Sequence, residues 1–130
     1  MKKVLPVFGA SLIILFICAV AGVWIWIDKD VKKNIGIAKE KYHGTAEDVL
    51  IAYLLDTGNS PHDRSNIAVW TLGQINSKKA IPVLTELYKD DPEGKTCYGQ
   101  HDTVLCQYEL YKALKATKSN WWPLHRRLNK

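Results

Sequence analysis

Hydrophobic and polar positions divide the chain into three stretches. Residues 4–27 form an apolar run of 24 without a charged side chain. About 20 helical residues cross a hydrocarbon core of about 30 Å, so the run predicts a membrane-spanning helix. Pro6 falls in its first turn, where a missing N–H costs little. Gly9 and Gly22 are tolerated in membrane helices, and Trp24 and Trp26 sit near the end, where amphipathic rings favour the headgroup layer. Over residues 28–44 the pattern thins to Val31, Ile35 and Ile37 or Ala38 among charged neighbours. That spacing predicts a juxtamembrane linker or a weak helix continuing from the apolar run, with Gly36 and Gly44 weakening it.

From residue 45 onward, apolar side chains recur at three- and four-residue steps in four segments, the signature of amphipathic helices. The first runs over 45–57, opens on the capping box of Thr45 and Asp48, and carries Val49, Leu50, Tyr53 and Leu54 on one face. After the turn Gly58-Asn-Ser-Pro61, the second runs over 63–75, with Ile67, Ala68, Thr71, Leu72 and Ile75 in register. Asn76-Ser77 breaks it, and Ser77 is placed to cap a third helix reaching Lys89, with Ala80, Ile81, Leu84, Leu87 and Tyr88 on its apolar face. The fourth is expected over 103–116, capped by Asp102, with Val104, Leu105, Tyr108, Tyr111, Ala113 and Leu114 as its apolar residues.

The stretch 63–90, DRSNIAVWTLGQINSKKAIPVLTELYKD, places small residues and leucines for close helix packing. Arg64, Ala68, Leu72, Gly73 and Ile75 mark one helix, and Ala80, Pro82, Leu84, Leu87 and Asp90 the next. It resembles HEAT-like repeats of the short bacterial type. The resemblance extends over about residues 45–117 and weakens in the last helix, where no Leu-Gly pair matches Leu72-Gly73. It implies an all-α fold: an N-terminal single transmembrane helix followed by a small α-solenoid of two HEAT-like helical hairpins. Such solenoids bind other macromolecules rather than carry out chemistry. Two repeats are fewer than the three or so that bury a continuous core, so the 31–43 segment, the Trp121-Trp122 tail, a membrane surface or a partner must cover the open ends.

This organisation gives a transmembrane signal-anchor at 1–27, a juxtamembrane linker or helix at 28–44, and a HEAT-like domain at 45–130 with an aromatic and basic tail. A cleaved signal peptide is the rival reading of the first segment, because Lys2 and Lys3 form a basic start and Ala19-Val20-Ala21 fits a cleavage site. The apolar run continues past that site to Ile27 and favours retention of the anchor. Lys29, Lys32, Lys33, Lys39 and Lys41 follow the segment and argue against N-in orientation, but a short basic start translocates poorly, and N-in, C-out is preferred. The net charge of +5 comes from 18 basic and 13 acidic residues. That is a mixed, solvated surface rather than a nucleic-acid-binding field.

Three cysteines occur. Cys18 reads as an apolar membrane residue. Cys97 and Cys106 are expected to form a disulfide in an exported domain. Closing a loop of about ten residues stabilises by about 2.7 kcal/mol in the chain-entropy model. The competing readings are free thiols, or a metal site drawing on Cys97, His101, Cys106 and His62, although this spacing matches no standard zinc motif. His62-Asp63 and His101-Asp102 recur just before the second and fourth helices, where the aspartates are expected as N-caps. No phosphate-binding loop, dinucleotide fingerprint, nucleophile elbow or zinc-protease motif is present, so no catalytic residue and no cofactor is assigned.

The residues therefore point to a membrane-anchored protein–protein interaction module, an adaptor or accessory subunit of a membrane or envelope complex. It contacts the bilayer through residues 4–27 and takes another protein, not nucleic acid, as partner. Trp70, Trp121, Trp122, Arg126 and Arg127 are the interaction candidates, because aromatic and arginine side chains dominate interface energetics. The alternative is a metal-binding or redox protein built on the loop of Cys97, His101 and Cys106.

Overall fold

The computed structural model describes residues 4–119, with side chains from residue 11 onward. The tail carrying Trp121, Trp122, Arg126 and Arg127 lies outside the described residues, as do Lys2 and Lys3. All regular structure among the described residues is helical. The described residues divide into two compact units, parted between residues 32 and 33.

The first unit is the apolar part of α1, a single helix over Val4–Lys41. Leu12, Phe16, Val20 and Trp26 all point outward, so this segment is apolar around its circumference. It is long and apolar enough to cross a membrane. Cys18 is exposed on this helix and outside any disulfide. A salt bridge of 2.8 Å joins Lys32 to Asp28 one turn earlier.

The second unit begins with the last turns of α1. Gly36 does not break the helix, which stops only after Lys41. Ile35 and Ala38 are buried on one face, at the predicted helical spacing, and Asn34 donates to the Thr71 hydroxyl at 2.9 Å. Next comes α2, Ala46–Leu55, which opens with the expected capping box: Thr45 Oγ1 accepts from Asp48 N, and the Asp48 carboxylate accepts from Thr45 N. Its predicted face is the observed one, with Val49, Leu50, Tyr53 and Leu54 buried. Asn59, only 4% exposed, ties the turn after α2 to the end of α1. It donates to the Tyr53 carbonyl and the Tyr42 hydroxyl, both at 3.0 Å, and accepts from Lys41 at 2.7 Å.

Helix α3 spans residues 61–74 as three consecutive pieces: Pro61–Asp63, a π-helical segment Arg64–Val69, and Trp70–Gln74. It starts earlier than the apolar pattern indicates, because Ser60 is the N-cap. The Ser60 hydroxyl accepts from Asp63 N at 3.1 Å, which leaves Asp63 inside the first turn rather than at the cap. Its end is a Schellman motif: Ser77 N donates to Leu72 O, Asn76 N to Gly73 O, and Asn76 takes a left-handed φ of 52°. Ser77 is buried; its hydroxyl accepts from Ala80 N and donates to Glu47.

Helix α4 is confined to Ile81–Leu87, shorter than the predicted 77–89. Residues 77–80 form the capped turn, and Pro82, which lacks an N–H, fits the first helical turn. Helix α5 spans Gln107–Lys118 and starts four residues later than expected. Thr103 N and Val104 N both donate to Gln100 O at 3.0 Å, which commits that stretch to a turn. Cys106, extended at φ −68° and ψ 116°, is the N-cap; Asp102 is exposed in the turn and caps nothing.

Helix α3 packs on α2 and on α5, and α4 packs on α5. Leu72 is fully buried, with Leu50, Leu54, Leu84 and Leu110 the other fully buried leucines. Gly73 marks a close approach of α3 and α5: a Cβ there would lie 3.1 Å from Ala113 Cα and 3.3 Å from Ala113 Cβ. Lys78 donates to the Thr117 carbonyl, placing a cation at the C-terminal end of α5, where the helix dipole favours it.

Two predictions follow from this packing. Leu72→Ala removes a fully buried side chain and should cost roughly 2–5 kcal/mol in the urea unfolding free energy; an unchanged midpoint would mean that the α3 register is wrong. Asp48 is held down at about 2, first by the hydrogen bond from Lys79 and then by Thr45. A depressed carboxyl contributes stability that is present above its unfolded value and is lost as pH falls through its folded value. The thermal midpoint should therefore fall between about pH 4 and pH 2, and Asp48→Asn should flatten that part of the curve, read by circular dichroism.

Candidate functional site

The second unit carries a pocket of about 300 Å³ where the first turns of α3, the loop after α4 and the start of α5 meet. His62, Ser65 and Asn66 line it from α3, with the last two in the π-helical segment. Glu93, Gly94, Cys97, Tyr98 and His101 come from the loop, and Cys106, Tyr108 and Glu109 from the start of α5.

The loop is shaped by a few polar contacts. The Asp91 carboxylate accepts from Thr96 N at 2.8 Å, from the Thr96 hydroxyl at 2.7 Å and from Lys95 N at 3.1 Å. These bonds, the Thr96 amide above all, hold its pKa below the ordinary carboxylate range. Gly94 turns the chain with a left-handed φ of 68°, and a Cβ there would sit 2.7 Å from Tyr108 Cβ and 3.2 Å from Cys97 Sγ. A short 3-10 turn over Lys95–Cys97 then brings Cys97 to the pocket floor. On the other side, Cys106 N donates to the Ser65 hydroxyl at 3.2 Å, anchoring the start of α5 to α3. Gln107, buried, donates to the Leu87 carbonyl and accepts from Lys89 N, which joins the end of α4 to the same place.

All four metal-ligand candidates line this one pocket. Cys97, His101 and Cys106 present ligand atoms that lie within 4.8 Å of one another; both cysteines are buried and His101 is exposed. Cys97 and Cys106 face each other with Cα atoms 5.1 Å apart, inside the 4.4–6.8 Å that a disulfide spans. His62 accepts at Nε2 from the Asn66 amide at 2.7 Å, and its Nδ1 lies 3.8 Å from the Asp102 carboxylate. The histidine of the first His-Asp pair thus faces the aspartate of the second.

The interaction candidates fare differently. Trp70 is half-buried on α3 and is not part of the pocket lining. Sequence reasoning passed over Tyr98, which is 89% exposed beside the pocket, and placed Tyr108 on an apolar helix face, where it is instead 43% exposed at the pocket. Lys112 stacks over the Tyr108 ring at 4.5 Å and pairs with Glu109 at 2.8 Å. The position of Tyr98 directly after Cys97, in a short loop containing Gly99, was the available signal for an outward-held ring. No protein-family model, curated protein or solved structure matches this chain.

Thiol labelling checks the state of the cysteine pair. In freshly isolated membranes only Cys18 should be available to an alkylating reagent under denaturing conditions, and Cys97 and Cys106 should label only after reduction. Labelling of all three without reductant would show that the pair is not oxidised in the membrane.

Proposed function

We propose that this chain is a membrane-anchored interaction module, an adaptor or accessory subunit of a membrane complex. The observation that carries the proposal is Tyr98. A large aromatic ring stands 89% exposed, next to a buried cysteine and at the rim of a pocket. Aromatic side chains presented by a fixed loop lose little entropy on binding and often form interface hot spots. Tyr108, with Lys112 over its ring, adds a second amphipathic surface beside it.

The wider frame of the proposal rests on the apolar helix and on the packing of α2 to α5. In this reading the segment 4–27 is retained as a signal-anchor, with N-in, C-out orientation, and the helical unit lies outside the cytoplasm. Helices α2 and α3 act as one HEAT-like hairpin and α4 and α5 as a second. The packing of α2 on α3 and of α4 on α5 supports that pairing, and the close approach at Gly73 sets one hairpin against the other. The partner is another protein, met at the rim of Tyr98 and Tyr108.

The test is site-specific photocrosslinking of the full chain in its native membrane. A photoreactive residue at position 98 should give a discrete adduct with another protein, whereas one at Glu86, on the exposed side of α4, should not. Identical adduct patterns from the two positions, or none from position 98, would defeat the proposal.

A further inference from the structure

The cluster of two sulfurs and an imidazole in this pocket is placed by contacts that do not involve a sulfur–sulfur bond. Asp91 fixes the backbone leading into Cys97 through the Lys95 and Thr96 amides. Gln100 N donates to Cys97 O at 3.1 Å, and Thr103 and Val104 donate back to Gln100 O, so the turn bearing His101 is closed on itself. Cys106 is held by its own amide on Ser65. These bonds hold the backbone of the three donor residues independently of the sulfurs.

We propose that, in the dithiol state, Cys97, His101 and Cys106 bind a divalent metal ion of the zinc class, with the fourth coordination position facing the pocket. Two thiolates and a neutral imidazole are the ligand types that suit zinc. Around a tetrahedral zinc, with bonds of roughly 2.0–2.3 Å, neighbouring donors stand roughly 3.3–3.8 Å apart. The donors here lie within 4.8 Å of one another, so small side-chain adjustments bring them to that geometry. Gly99, at a φ of 71° with nothing within 4 Å of an added Cβ, leaves the connecting loop room to adjust. Cys106 occupies the N-cap of the twelve-residue α5, where the helix dipole favours negative charge. Glu93 and Glu109 add carboxylates to the lining, each partly offset by its lysine partner.

The site is gated by oxidation. A dithiol reductant gives two electrons and two protons to the Cys97–Cys106 disulfide and leaves as its own disulfide. Metal binding then releases the two thiol protons to solvent. Reoxidation by a disulfide reverses the exchange: the sulfurs bond to each other, the ion departs, and the loop stays closed.

The experiment uses the full chain in detergent micelles, in a Cys18→Ala background, with the cysteine pair either oxidised or reduced by a phosphine in oxygen-free buffer. Cobalt(II) is titrated first and zinc(II) second. The reduced protein should take up one equivalent of cobalt, with a thiolate-to-cobalt charge-transfer band and tetrahedral ligand-field absorption. Zinc should displace it, and the oxidised protein should show neither band. His101→Ala should weaken zinc binding by at least about tenfold, since even outer partners of metal ligands are worth that much. Cys97→Ser with Cys106→Ser should abolish the charge-transfer band while far-ultraviolet circular dichroism remains helical. A reduced protein without the band, an unchanged zinc affinity in His101→Ala, or a band surviving the double serine variant would each overturn the proposal. Loss of helicity on reduction would do so too, because the site requires a frame that persists without the disulfide.

Discussion

The approach of α3 to α5 at Gly73 and Ala113 governs the second unit. Two helices can come this close only where neither presents a bulky side chain, and a Cβ on Gly73 would already meet the Ala113 backbone at 3.1 Å. The contact sets the position of α5 relative to α3 along their shared length. Leu72 beside it is sealed from solvent, and Leu110 and Leu114 are buried on the opposing helix. Farther along, the same pairing sets Cys106 against Ser65, so a packing constraint among apolar residues determines where the pocket forms. The polar groups there follow from that frame. Gln107 can bridge to the end of α4 because α5 begins where it does.

Much of this frame was legible in the sequence. The buried face of α2 and its capping box follow directly from residues 45–54, since both rest on local spacing. Leu72 and Gly73 announced a close helix contact, because a glycine inside an otherwise strong helical pattern carries a conformational cost that packing must offset. The failures have equally local causes. Val104 and Leu105 look like a helical face, yet their backbone is drawn into a turn on Gln100, and α5 waits until Gln107. Asp63 and Asp102 look like caps, but Ser60 takes the first role and Cys106 stands at the second position. No residue type marks the π-helical widening at Arg64–Val69. It depends on tertiary surroundings that a linear pattern does not contain.

The pocket was half legible. The repeated His-Asp pair reads in sequence as two N-caps with loop histidines, whereas both histidines line one pocket and His62 faces Asp102. That geometry requires knowing how far the loop after α4 folds back. The fold-back is dictated by Asp91 and Gly94, which in sequence belong to an unremarkable acidic turn. Their importance lies in backbone geometry: a carboxylate collects amide hydrogens, and a left-handed residue leaves no room for a side chain against Tyr108. Composition alone cannot distinguish such a turn from a solvated one.

These contrasts separate the unit into a frame and a loop that answer to different forces. The frame is held by leucines and by helix contacts far apart in sequence. Residues 88–106 contain only one short 3-10 turn, and several of their contacts are local hydrogen bonds. Regions with few buried apolar contacts open at lower free energy than the core they rest on. Cys97 and Tyr98 belong to that loop, whereas Leu72 and Gly73 belong to the frame. The frame fixes where the loop is anchored, at Ser65 and Leu87, and the loop's own hydrogen bonds fix how Cys97 and Tyr98 are presented.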